Sequence, residues 1–455
     1  MELSLQAEQE IAQMVVGAVR EHLAGIPKRA AVRLADVEGA VEGALRGVGR
    51  CCLERAVREV GTGYEGANRP CACGGQQESD HDVSATWQTV LGDIRVRRAA
   101  YRCPSCGAHA VPLDAQMGLP TDRTSPLLRA RLSRFCAVAS FAEACTLLEE
   151  ANGVRVSAKR AQIVSEELGA RVATHQATRA AVDDQDGGQA GPARMYLGID
   201  GVFYCTTERD EQRALLWREA KVGVITTPLP EGAPGTGRQS HLAPTGRPID
   251  VLDPEQASYV VHMGDWRGFA DKFWREAERR GIARASEIVL LSDGAEWIDS
   301  VRTLLFDGLG VRLTHILDLR HAEEHLWEVA HACLGDDPAD WIEPPLEDLR
   351  EGRIDALLVA IHQLPTPTTD AAKRVATTCS SFDTRRAMLD YPRFREAGYQ
   401  IGSGIAESAC KRLVSQREKG PGMHWTTSGA QAIGTLRAAH LSKRWKEATE
   451  VACAA

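Results

Sequence analysis

The chain has 455 residues, room for about two to four domains of ordinary size. Apolar residues make up 44% and charged residues 25%, a globular balance with ample length to bury a core. The 54 basic and 62 acidic residues leave a formal charge of −8, which argues against a protein that coats nucleic acid through bulk charge.

The first residues, MELSLQAEQEIAQ, are acidic and lack the apolar run of a signal peptide. No segment approaches the roughly 18 apolar residues of a membrane span, so a cytoplasmic protein is expected. Ile11, Val15, Val19 and Leu23 recur at helical spacing, and Val37, Val41, Leu45 and Val48 follow. This predicts a helical arm over 1–60, either an oligomerisation element or a packed arm.

A cysteine-bearing β segment follows. Thr86–Leu91, a turn at Gly92-Asp93 and Ile94–Arg102 predict a hairpin, because Ile94 and Val96 alternate with Arg95 and Arg97. Cys103-Pro104-Ser105-Cys106-Gly107 has the spacing of a zinc knuckle, whose thiolates share one tetrahedral Zn2+. The partner pair would be Cys71 and Cys73, spaced C-x-C rather than C-x2-C, with His81 as a substitute ligand. The alternative is that Cys71 and Cys73 are ordinary thiols. Cys51, Cys52, Cys136, Cys145, Cys205, Cys333, Cys379, Cys410 and Cys453 show no ligand spacing and read as structural thiols. Arg95, Arg97, Arg98, Arg102, Arg123, Arg129, Arg131 and Arg134 form a basic zone, suited to DNA contact or to a solvated face.

Next, a helix through Phe141–Glu150, a break at Asn152-Gly153 and a helix from Ser157 to about Ala173 resemble a helix-turn-helix, a pattern that other helical hairpins share. Ser157 is the expected N-cap. The polar, Gly-rich stretch Asp183–Pro192 then marks a domain boundary.

Beyond it, strands alternate with helices. Strands are predicted at Tyr196–Ile199, Ala220–Ile225, Ser258–His262, Ile288–Leu291 and Thr314–Leu317, and helices at Trp266–Arg280 and His321–Cys333. Residues 228–250 read as a loop, 336–398 as mostly helical, and a last helix starts near Gly404 with Ser403 as its N-cap. Two strands end alike, in Gly198-Ile199-Asp200-Gly201 and Leu291-Ser292-Asp293-Gly294. A carboxylate just past an apolar strand sits at the sheet edge, where α/β sites form. An Asp-Gly pair is also a common turn. Glu407 projects from the first turn of the last helix, whose Ile405, Ala409 and Leu413 would face the core. Three such carboxylates can hold two divalent metals, and oxygen ligands favour Mg2+ or Mn2+.

From Met195 to Lys446, over half the chain, the sequence resembles bacterial insertion-sequence DDE transposases of the ISKra-type group, with Mutator-like relatives. The resemblance rests on Leu197-Gly198-Ile199-Asp200-Gly201-Val202, Ser292-Asp293-Gly294-Ala295-Glu296-Trp297-Ile298, Asp318-Leu319-Arg320-His321-Ala322, Ile401-Gly402-Ser403-Gly404-Ile405-Ala406-Glu407-Ser408, Gly422-Met423-His424-Trp425 and Ser442-Lys443-Arg444-Trp445. It implies a multidomain α/β chain with a ribonuclease-H-like catalytic core and a helical insertion before a catalytic glutamate. It singles out Glu407, which lies 114 positions after Asp293, too far for a direct strand-to-helix link. Asp200, Asp293 and Glu407 then become the catalytic, Mg2+-binding residues. Asp318 and His321 become accessory groups, or else a helix cap and a packed histidine. His321 and His325 are four apart, but the intervening Ala-Glu-Glu is wrong for a zincin.

The resulting scheme runs as a helical arm (1–60), a zinc-ribbon-like β domain (61–118), a helical, helix-turn-helix-like DNA-binding domain (119–180), a linker (181–194), the first part of the core (195–335), the insertion (336–400), and the glutamate helix with a basic tail (401–447). The ribbon, with Zn2+ on Cys71, Cys73, Cys103 and Cys106, and the helices after it would bind the terminal inverted repeats. The tail's Lys411, Arg412, Arg417, Lys419, Lys443 and Arg444 would hold phosphates of element and target DNA. Trp425 and Trp445 would stack on a distorted base, or serve as core residues. The resemblance also implies a DNA-bound oligomer, at least a dimer, at the bacterial nucleoid. The rival expectations are a non-catalytic DNA-binding protein and a nuclease of the same fold without strand transfer.

Overall fold

The computed structural model describes residues 5–24, 33–178, 191–230, 232–233, 249–335 and 338–454. Most of the expected linker 181–194 and of the loop 228–250 lies outside these residues. The chain forms two compact units, one of Met1–Arg171 with Trp445–Ala455 and one of Val172–Arg444.

The first unit begins with α1 (Leu5–Ala24) and α2 (Leu34–Val60). A four-stranded antiparallel sheet follows in the order β1 (Asn68–Pro70), β2 (Gln76–Thr89), β3 (Gly92–Arg102), β4 (His109–Ala110). The β2–β3 turn falls at Val90-Leu91, two residues before the expected Gly92-Asp93. The Thr89 hydroxyl explains this: it donates to the Gly92 carbonyl (2.7 Å) and accepts from Leu91 N–H (3.2 Å), closing the turn early. One face of β2–β3 buries Ala85, Trp87, Ile94 and Val96 against Val57 of α2.

After α3 (Pro112–Gln116) come α4 (Pro126–Val138), α5 (Phe141–Asn152) and α6 (Ala158–Thr178). Ser125, Ser140 and Ser157 hydroxyls accept from Leu128, Glu143 and Arg160 N–H and so cap the three helices. Gly153 ends α5 at φ 67°, the left-handed conformation glycine supplies without strain. Leu128, Leu132, Leu148 and Val164 make the shared core. The C-terminal helix Trp445–Cys453 packs on α4, and Arg171 donates to its Val451 carbonyl (2.6 Å).

The second unit is a five-stranded mixed sheet. Its strands are β5 (Met195–Arg209), β6 (Leu215–Thr226), β7 (Ser258–His262), β8 (Glu287–Ser292) and β9 (Arg312–Leu317), in the order β7-β6-β5-β8-β9. β5, β6 and β7 run antiparallel, while β8 and β9 run parallel to β5. Successive strand residues point to opposite faces. Met195, Leu197 and Ile199 of β5 therefore join the core under α7 (Trp266–Arg279) and α8 (Glu296–Phe306). Tyr196 joins the opposite core with α9 (Leu319–Leu334), α10 (Ala339–Arg350), α11 (Ile354–His362), α12 (Thr369–Thr384) and α13 (Tyr391–Glu396). The helices of 338–400 thus share one continuous core with the sheet. Then come α14 (Gly404–Cys410), a π-helical turn (Lys411–Ser415), α15 (Gln416–Glu418) and α16 (Thr427–Leu441).

Candidate functional site

Asp200 lies within β5, not just past its end as its sequence context suggests. β6 pairs with β5 through Asp200 and beyond, opposite Val222, so the strand continues. On the other side, pairing with β8 stops at Gly198↔Leu291. The same register carried two residues on brings Asp200 level with Asp293, the first residue after β8. Both side chains belong to the face that carries Tyr196 and Leu291.

α14 lies on that face, and Gly198 is what lets it approach. A Cβ at Gly198 would meet Val224 Cγ1 at 2.8 Å, Ile405 Cγ1 at 3.0 Å and Ala406 Cβ at 3.1 Å. Glu407, the next residue, stands exposed in the first turn of α14. The charges of both Asp293 and Glu407 act on Asp200. Burial raises the Asp200 pKa above the usual carboxylate range, and the charges of Asp293 and Glu407 push it further. Two donors act against the rise, the Gly201 N–H on Oδ1 (2.7 Å) and the Cys410 thiol on Oδ2 (3.4 Å).

Asp293 accepts the Ala295 N–H at Oδ1 (2.9 Å) in a tight turn whose Gly294 has φ 79°. Arg385 donates to the Gly294 carbonyl (2.7 Å), tying this turn to the chain just after α12. Asp318 is a buried helix cap. Its Oδ1 accepts from Arg320 (2.6 Å) and His321 (3.2 Å) N–H, and its Oδ2 accepts from the Ser403 N–H (2.6 Å) and hydroxyl. Ser403 therefore gives its hydroxyl to Asp318 rather than capping α14 with it. The His321 and His325 rings lie 4.5 Å apart edge to face, and burial lowers the His325 pKa, against the pull of Asp293 among others.

Sequence reasoning missed Arg385 and Glu219, and it named Cys410 only as a structural thiol and His325 only as half of a rejected zinc pair. Cys410 carries no ligand spacing, and only the packing of α14 on β5 brings it to Asp200. Glu219 of β6 packs against Gly201, where any Cβ would strike its carboxylate, and pairs with the buried Lys221 (3.0 Å).

The cysteines converge in the first unit. Among the described residues, Cys71, Cys73, Cys103 and Cys106 are the one group of three or more His, Cys, Asp or Glu whose ligand atoms all lie within 4.8 Å of one another. The carboxylate oxygens of the Asp200 site are spread more widely. Cys71 Sγ is 3.7 Å from Cys106 Sγ, and Cys73 Sγ is 3.7 Å from Cys103 Sγ. A tetrahedron with Zn–S bonds of about 2.3 Å has S···S edges of about 3.8 Å, so the donors fit zinc. The C-x-C spacing works because Cys71 and Gly74–Gly75 close a tight turn, Cys71 N–H to Gly75 O (2.9 Å) and Gly74 N–H to Cys71 O (3.0 Å). The Cys103 thiol is held down to about 6, first by the backbone N–H of Cys106, which readies it as a thiolate. His81 is exposed on β2, paired with Asp80, and takes no part.

The basic tail needs correction. Arg417 is buried and stacks over Trp425 (5.1 Å), and with Arg437 it flanks the fully buried Glu418. Arg444 pairs with the buried Glu276 (2.8 Å), Arg412 donates to the Tyr259 hydroxyl (2.6 Å), and Lys443 pairs with Glu255. Arg412, Arg417 and Arg444 are engaged within the fold, whereas Lys411, Lys419 and, in its surface pair with Glu255, Lys443 are exposed. Trp425 and Trp445 are buried, Trp425 donating to the Glu418 carbonyl (3.0 Å), so neither is presented to a base. In the first basic zone, Arg98 pairs with Asp114 (2.7 Å) and Arg129 bridges Asp122 (2.9 Å) and Glu167 (3.0 Å), whereas Arg95, Arg97 and Arg102 of β3 are exposed.

No helix among the described residues is long and apolar enough to cross a membrane. No protein-family model matches the chain. No curated protein matches it either. Among solved structures, the chain is similar to the Drosophila P element transposase strand transfer complex at 12% identity, over 70% of this chain and 79% of that one, with a TM-score of 0.24. A superposition that loose carries no argument about this chain.

Proposed function

We propose that the chain is a DDE-type DNA transposase of the ISKra-type group, with the second unit's mixed sheet as a ribonuclease-H-like core. One observation carries the reading: the half-buried Asp200 feels the charge of Asp293, on the neighbouring strand end, and of Glu407, more than a hundred residues further on. Carboxylates gathered beside a buried strand repel one another and favour a shared cation. All-oxygen donors of this kind suit Mg2+ or Mn2+. Bound there, a pair of such ions would supply Lewis-acid activation for in-line attack on a phosphodiester.

The chain's own contribution is placement. β5 and the end of β8 hold Asp200 and Asp293 side by side, and Gly201 and Cys410 orient Asp200. α14, brought close by Gly198, carries Glu407. Asp318 anchors the starts of α9 and α14 together, and His321 stands one turn along α9 as an accessory group. Lys411 and Lys419 would contact DNA phosphates, and the zinc-bearing sheet and α4–α6 would engage the terminal repeats. Action as a DNA-bound dimer or higher oligomer at the bacterial nucleoid belongs to the same reading.

The test is incubation of the protein with Mg2+ and labelled element ends. Cleavage followed by joining to a target supports the proposal. Cleavage without joining makes the protein a nuclease, and binding alone makes it a non-catalytic regulator. Asp293→Asn and Glu407→Gln should each abolish cleavage while DNA binding persists; unchanged cleavage in either would remove that residue from the site.

A further inference from the structure

We propose that a cavity between α8, β9 and the turn that follows α12 is a binding site for a phosphate group. The cavity measures about 540 Å³ and its polar rim holds Arg302, Arg385 and Arg393 against one carboxylate, Asp299. Guanidinium groups remain charged at any pH a protein survives, so the rim carries an excess of positive charge. His315, also in the wall, adds no positive charge: burial depresses its pKa to about 3. The remaining wall is partly apolar, through Met388 and Phe394, which strengthens an ion's interaction with the arginines.

The three arginines are only partly neutralised. Arg385 touches Asp299 at 3.5 Å and otherwise donates to neutral oxygens of Ser381 and Gly294. Arg393 reaches a carboxylate only at 3.9 Å, that of Asp390. Arg302 pairs with Asp307 through Nη1, and its Nη2 donates to the Thr303 hydroxyl. Planar guanidinium forks converging on a cavity match the tetrahedral oxygens of phosphate better than a lysine or a neutral donor would.

The site's position gives it a purpose. Arg385 holds the Gly294 carbonyl, and His315 Nε2 lies 2.8 Å from the Ser292 hydroxyl. Ser292 and Gly294 flank Asp293, so a phosphate that orders this wall also orders the turn presenting Asp293. That consequence rests on the proposed function, whereas the binding itself does not. A phosphate could arrive on a free small molecule or in the backbone of a DNA strand.

Calorimetric titration of the full chain with inorganic phosphate, in metal-free buffer at constant ionic strength, should show saturable binding near one per chain. Arg302→Glu with Arg393→Glu should weaken it by about tenfold or more, while Arg302→Lys with Arg393→Lys keeps most of it. Both pairs sit at the cavity rim, and their thermal midpoints without phosphate report whether each variant is folded. Absence of saturable binding, or equal binding by the glutamate variant, overturns the proposal. Asp293→Asn should bind phosphate like the parent even though it loses cleavage; markedly tighter binding in this variant would place the anion beside the carboxylates and overturn the proposal. A short duplex added with EDTA identifies the source: displacement of phosphate supports a strand phosphate, and coexistence supports a free ligand.

Discussion

Asp200 shows how one side chain links stability to function. Its carboxyl is half-buried and feels the charge of two other carboxylates, and its folded-state pKa lies above the ordinary 3.8. Between those two values the native state holds more protons than the unfolded chain, so stability falls as pH rises through the folded pKa. The penalty persists at neutral pH and is relieved on acidification towards 3.8. Asp200→Asn should therefore raise the thermal midpoint of the metal-free protein at neutral pH and flatten its rise on acidification. Mg2+ should raise the midpoint of the parent and leave the variant unmoved, because only a ligand that prefers the folded site stabilises it. Differential scanning fluorimetry across about pH 4–8 reads both effects; a lower midpoint for Asp200→Asn at neutral pH would contradict this account.

At the scale of the element, the position of α14 depends on a missing side chain. Gly198→Ala would place a methyl group 2.8–3.1 Å from Val224, Ile405 and Ala406, tighter than packed atoms tolerate. Overpacking of this kind costs about 1–3 kcal/mol. The helix would lift and carry Glu407 with it, and a shift of about 1 Å at a reacting centre can cost about 10²-fold in rate. Gly402→Ala is the control, since nothing lies within 4 Å of its Cβ position. Cleavage assays on the two variants should separate them; equal rates would show that the site does not need the close approach. The four-stranded sheet makes a second prediction. The purified protein should contain about one Zn2+ per chain by elemental analysis, and Cys103→Ser with Cys106→Ser should lose it. Chelation should then release amide protection around Cys71 and Cys103 and leave β5–β9 protected in hydrogen exchange.

At the scale of the whole molecule, the two units differ in how the chain closes them. The second is continuous in sequence, whereas the first is completed by the C-terminal helix Trp445–Cys453. That helix buries Trp445, Ala448 and Val451, and the Trp445 ring lies under Arg134 of α4 at 5.8 Å. Loss of a buried tryptophan costs about 3–5 kcal/mol. Trp445→Ala should destabilise the first unit by that order and leave the second intact. Limited proteolysis should then cut first within residues 5–171; equal sensitivity of both units would show that they unfold together.

Local pattern in the sequence determines a good deal of this protein. Serine caps, Gly153, strand alternation from Ile94 to Arg97 and the apolar runs before Asp200 and Asp293 are short-range signals, because helix and strand periods repeat within a few residues. Glu407 has no local signature beyond an acid in a helix's first turn, and only its wider resemblance singles it out. The cysteine spacing names four candidates and leaves the C-x-C geometry open, until the hairpin brings the four sulfurs within 4.8 Å of one another. Tertiary structure alone decides that Asp200 stands mid-strand, since its other neighbour is β6 rather than a turn. It also decides that Cys410, 210 positions away, meets Asp200, and that Arg417 and Trp425 turn inward. Polar groups distant in sequence meet only where strand pairing and helix packing place them, and neither contact is encoded within the few residues around either partner.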